Sequence, residues 1–110
     1  MVTAETAVVL PVLLLVLAGA VAVVTVVGAH LRCVDAAREG ARAAARGEDV
    51  VTVTEIVGRA APRGADATVE VGEDEVRVTV TARIAPLGPV PLGVTVSAEA
   101  VALREPGEHG

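Results

Sequence analysis

The sequence predicts an α+β chain. A long N-terminal transmembrane helix is followed by a possible short second helix and a small three-stranded antiparallel sheet. Three observations carry this prediction. The stretch Thr6–Ala29 is apolar and holds no charge. The residues after it keep apolar side chains at spacings of three and four, which is a helical face. From Ala67 onward the apolar period drops to two, which is the period of a half-buried strand.

The first element is defined by the bilayer. About 24 uncharged residues would form a helix of ~36 Å, against a hydrocarbon core of ~30 Å. The helix does not stop there. In HLRCVDAAREGARAAARGED, Leu31, Val34, Ala37, Ala41 and Ala44 share one face, and Arg32, Asp35, Arg38, Glu39, Arg42 and Arg46 occupy the others. Asp35 with Arg38 and Glu39 with Arg42 are acid-before-base pairs three apart, a mildly favourable order. Arginines toward the C-terminal end suit the helix dipole. Gly40 is a weak point, costing ~1 kcal/mol relative to alanine, and Gly47 is a plausible stop. The expected helix spans about residues 4–46, roughly 60 Å. The expected organisation is a transmembrane helix over 1–30, an amphipathic extension over 31–47, and a small α+β domain over 48–110.

Residues 48–61, EDVVTVTEIVGRAA, read two ways. Val50, Val53, Val57 and Ala60 fit a helical face, while the β-branched content suits a strand. Pro62 and Gly64 punctuate the end and favour the helix. The strands follow. Val69 and Val71 alternate with Thr68 and Glu70. Val76, Val78, Val80, Ala82 and Ile84 alternate with charged residues and threonines. GEDE at 72–75 makes a tight hairpin between these runs. The proline-rich APLGPVP at 85–91 is a connection, since proline cannot sit in an inner strand. Leu92, Val94, Val96, Ala98 and Ala100 form the inward positions of a third strand. The polar REPGEHG is expected to fray. The apolar sheet face needs cover, from the alanine stripe or from the second helix.

Composition excludes several functions. The chain has 110 residues and no Phe, Trp or Tyr, so its core is Val, Leu, Ile and Ala. A core this thin usually needs outside support. The net charge of −5 and the missing aromatics argue against nucleic-acid binding. The single cysteine, Cys33, excludes an internal disulfide. Its ordinary reading is a small buried apolar residue, with lipidation or an intermolecular disulfide as alternatives. The one serine, Ser97, sits mid-strand with no motif around it. His30 is at the membrane boundary and His109 in the tail, and no metal, nucleotide or hydrolase motif is present. Glu73, Asp74 and Glu75 lack EF-hand spacing and read as a solvated hairpin tip. No catalytic residue, cofactor or metal is expected.

Glu5 remains. One reading makes it a first-turn carboxylate favoured by the helix dipole at headgroup depth. The other starts from the cost of an acid in the bilayer, a few kcal/mol, which usually demands a partner. Nothing basic precedes Glu5. The cation within reach is an α-amino group, that of Met1 or of another copy. Pairing with a neighbour's N-terminus would set an axial step between identical helices.

The glutamate five residues in, the apolar run and Pro11 resemble the N-terminus of type IV pilins. More specifically, TAETAVVLPVLLLVLAG followed by VDAAREGARAAARG is similar to the TadE-like minor pilins of tight-adherence pilus systems. The match covers roughly residues 2–47. The Ala, Val, Gly and Arg bias is that of a GC-rich bacterial gene. The resemblance implies a pilin-like fold and a chain cut by a prepilin peptidase after a short basic leader. It implies that Glu5 recognises the N-terminal amine of an adjacent subunit, with Met1 at the place of the first mature residue. It implies that the helix anchors in membrane lipid and later packs in a filament core, with Pro11 loosening or kinking it, since proline removes one backbone donor. Implied partners are major and minor pilins and the inner-membrane assembly platform. The sequence departs from the pattern in three places. No leader glycine precedes Met1, Thr6 stands where an aromatic is common, and residues 21–24, VAVV, lack a second acid.

Charge and resemblance point to opposite orientations. Arg32, Arg38, Arg42 and Arg46 follow the span, and the positive-inside rule would put the C-terminal part in the cytoplasm. The resemblance puts it outside, and a basic leader would restore the balance. The competing functional reading is a single-span membrane anchor whose extracytoplasmic sheet binds an unknown ligand. A cleaved signal peptide, suggested by Ala20-Val21-Ala22, has no basic n-region and too long an apolar run.

Overall fold

The computed structural model describes residues 2–86, 88 and 92–104. Helix α1 runs from Val2 to Ala45 as one element. At ~1.5 Å per residue that is roughly 66 Å. It passes through Pro11, whose ring leaves the carbonyl of Ala7 without its usual amide donor. The helix stops at Gly47, which has φ 91°. The Gly47 N–H bonds the Ala44 carbonyl at 3.0 Å and the Glu48 N–H bonds the Ala43 carbonyl at 3.3 Å. This pair of crossed bonds satisfies carbonyls that the helix end would otherwise orphan, and it needs the left-handed backbone that glycine adopts freely.

The second element is a helix, α2 (Val50–Ala60). Its β-branched residues are overridden by a good cap and a buried face. The Asp49 carboxylate accepts the Thr52 N–H at 2.9 Å, and Val53 and Val57 are buried. Strands β1 (Asp66–Val71), β2 (Glu75–Ile84) and β3 (Val94–Leu103) form an antiparallel sheet in that order. The 72–75 hairpin is closed by the Gly72 N–H on the Glu75 carbonyl at 2.8 Å. β3 is shifted toward the C-terminus from its expected position. It begins at Val94 and reaches Leu103, leaving Leu92 outside it and exposed. Pairing decides the shift, because Ile84 meets Val94 and Glu75 meets Leu103. The 85–91 connection lies only partly in the described residues, and the tail beyond Arg104 lies outside them.

Both helices pack on one face of the sheet. α1 lies over β2 and β3, and α2 lies beside it over β1. The core is Val53, Val57, Val76, Val78 and Val80, closed by Ala36, Ala37, Ala41 and Ala43. Alanine lets the α1 backbone approach the sheet closely. Gly40 takes this further. A methyl group there would stand 2.5 Å from Val57 Cγ2 and 3.2 Å from Val78 Cγ1. The glycine that weakens the helix locally is thus the place where α1, α2 and β2 converge.

Candidate assembly surface

Two surfaces could carry function, and α1 supplies both. The first is its N-terminal half. From Thr3 to Leu17 every side chain is exposed, Leu10, Leu13 and Leu15 among them. The helix is long and apolar enough to cross a membrane. Glu5 is the one acid in its first turn. It is exposed and has no ion pair with any described residue. Met1 lies outside the described residues.

The second surface is where α1 meets the sheet. Of the residues expected to pack, Ala37, Ala41 and Ala44 are buried and Val34 is half-buried. Leu31 is 56% exposed. The buried set is Ala29, Cys33, Ala36, Ala37, Gly40, Ala41, Ala43, Ala44 and Ala45, and it begins two residues before Leu31. Leu31 falls seven and eleven residues before Arg38 and Arg42, which puts all three on one side of the helix, outside the buried set. The run of alanines hides this rotation, because several faces of α1 read as small and apolar. Ala29, Ala36, Gly40, Ala43 and Ala45 lie outside the expected packing set, whereas Cys33 is buried as its ordinary reading expects. The signal for Gly40 was a glycine kept inside an otherwise strong helix.

Cys33 is fully buried, and burial pushes its thiol above its ordinary value. A neutral, covered thiol is a poor nucleophile, so in this fold it packs and does not react. Arg77 lies 3.9 Å from Glu75 and 3.6 Å from Glu99, all about half exposed. Such pairs contribute little to stability. Ser97 shares a 3.3 Å hydrogen bond with Thr81 on the outer sheet face. His30 is exposed and His109 lies outside the described residues. Among the described residues no three His, Cys, Asp or Glu side chains gather to hold a metal.

At the far end of the sheet, Arg38, Ala41, Arg42 and Ala45 of α1 face Ala100–Leu103 of β3 across a groove of about 330 Å³. Nearby, the Arg104 guanidinium donates to the Gly72 carbonyl at 3.0 Å and its backbone N–H bonds Asp74 O at 2.9 Å. This clasps the hairpin to the end of β3.

A family model described as TadE-like protein matches residues 1–42. The apoptosis inhibitor Rv3655c of Mycobacterium tuberculosis (strain ATCC 25618 / H37Rv) is 42% identical over 103 residues, covering 94% of this chain and 78% of that protein. No solved structure matches the chain.

Proposed function

This chain belongs to the TadE-like family, and from that premise we propose that it is a minor pilin that takes part in assembling a tight-adherence pilus. The family ties it to such pilus systems, whose members are in general not enzymes, and its apolar helix fits a membrane-anchored, surface-associated protein. One observation carries the finer reading. Half of α1 is bare apolar rod, and its single carboxylate, Glu5, has no described partner. A carboxylate in hydrocarbon costs a few kcal/mol unless a cation meets it. An α-amino group of a neighbouring subunit would meet it and set the axial offset between rods. The bare rod would leave lipid for a bundle of similar rods, with the sheet domain outside the cytoplasmic membrane. Implied partners are other pilins, the assembly platform and a prepilin peptidase.

The test is Glu5→Ala. Membrane fractionation should be unchanged, since an apolar span loses only a cost. Surface pili should be lost or fall at least tenfold, which corresponds to about 1.4 kcal/mol or more of pairing. Normal piliation by this variant would sink the reading.

A second reading has separate support. The family model stops at residue 42, whereas the similarity to the protein named as an apoptosis inhibitor runs through the sheet domain. On that reading the sheet is a ligand-binding module held by the span. A chain deleted for residues 66–104 distinguishes the two. Retained pilus assembly would favour the binding module.

A further inference from the structure

The sheet has two features that the rod does not explain. Its edge strands, β1 and β3, each pair only with β2 among the described residues. β3 is also an unguarded edge. Its ten residues contain no proline or basic residue and one charge, Glu99. Natural edges of that length are usually blunted against pairing with other chains.

We propose that β3 of one copy accepts β1 of a second copy of this chain, in parallel, and that the neighbour's hairpin tip, Glu73 and Asp74, seats against Arg38 and Arg42. The inference rests on the side-by-side stance of copies in the proposed function. Both edge strands are antiparallel to β2 and therefore parallel to one another. A three-stranded sheet repeated sideways, with every α1 pointing the same way, brings β3 against the next β1 in parallel register. An antiparallel β3–β3 pair would turn one copy end for end, and the two rods could not enter one membrane from the same side.

Charge supports the same occupant. Val71 pairs with Val76, and Val76 pairs with Ala102, so the end of β1 stands level with the end of β3. The 72–75 tip of a laterally repeated copy therefore arrives level with Leu103 and Arg104, at the end of the groove that Arg38 and Arg42 line. Neither those two arginine side chains nor those of Glu73 and Asp74 have an ion pair among the described residues. Two cations beside β3 thus border the end of the groove at which a neighbour's two hairpin acids arrive. An interface of this head-to-tail kind closes into a ring or continues as a helical filament.

The test uses the full-length chain in membranes, with Cys33→Ala as background. Arg42→Cys and Asp74→Cys are placed together in one chain and exposed to mild oxidant. A disulfide ladder of dimers, trimers and larger species is expected. Each single variant should give no ladder, and a mixture of the two singles should stop at dimers. Far-UV circular dichroism checks folding, and Arg38→Cys with Glu73→Cys replaces the first pair if that check fails. Two differently tagged wild-type copies are co-purified in parallel. Co-purification without a ladder, or a double variant that stops at dimers, overturns the edge pairing and leaves the proposed function standing. Absence of co-purification removes the side-by-side premise and overturns both.

Discussion

Gly40 is the point at which α1 comes closest to α2 and β2. Replacing it with alanine recovers about 1 kcal/mol of helix propensity. The added methyl must displace Val57, a short β-branched side chain with little freedom to move, and overpacking of this kind costs roughly 1–3 kcal/mol. Gly40→Ala is therefore expected to destabilise the folded domain by roughly 1 kcal/mol and Gly40→Val by more. Cys33 offers the measurement, because its thiol is covered until the helix lifts from the sheet. Maleimide labelling of the wild type in mild detergent should wait for denaturing urea, and in Gly40→Val it should begin at lower urea. Equal labelling profiles would show that the close approach carries no strain. The role of Gly40 could not be read along the chain, because its neighbours, Val57 and Val78, lie 17 and 38 positions away.

At the scale of elements, α2 depends on the cap residue before it, Asp49. The Thr52 side chain and, after it, the Thr52 N–H bond the Asp49 carboxylate, and these bonds hold its pKa below the usual aspartate value. A lowered folded value means the contribution is present above the usual carboxylate range and is lost as pH falls through the folded value. Asp49→Ala should speed exchange of the Thr52 amide at neutral pH. Asp49→Asn should keep the acceptor and remove the acid dependence, and a cap insensitive to both changes would contradict the geometry. Behind the cap, Val78→Ala removes two carbons from a fully buried position on β2. At ~0.8 kcal/mol per carbon plus a cavity term it should cost roughly 2 kcal/mol in urea unfolding. Elements of this kind differ in how legible they are. The β2 alternation from Glu75 to Ile84 is unambiguous, because threonine and arginine mark one face and valine the other. The packed face of α1 is ambiguous, because alanines occur on several sides and Leu31 looked like an anchor. The α2 segment was ambiguous for a different reason, since valine suits a strand until Asp49 and the covering of Val53 and Val57 decide for a helix.

The whole molecule measures 80 × 20 × 17 Å, a rod with a small sheet against one half. Two signals oppose one another over its orientation: four arginines after the span favour the cytoplasm, and the proposed pilus role needs the sheet domain outside. Protease added to intact spheroplasts is expected to remove the sheet domain and leave a membrane-protected fragment of roughly 30 residues, the length of one span with its flank. A fully protected domain would place it in the cytoplasm and exclude pilus incorporation. The candidate assembly surface was only half readable before the fold. Glu5 and the apolar rod stand out in any linear scan, whereas the Arg38–Arg42 groove exists only because β3 ends beside α1. The same arrangement has a mechanical outcome. The first buried α1 side chain is Ala29, at the end of the uncharged run. While the span is embedded, the domain therefore stands directly on the lipid with no leash to swing on. Anything it touches must come within a few nanometres of the bilayer, unless the entire rod is drawn lengthwise out of it, carrying the domain along like the head of a pin.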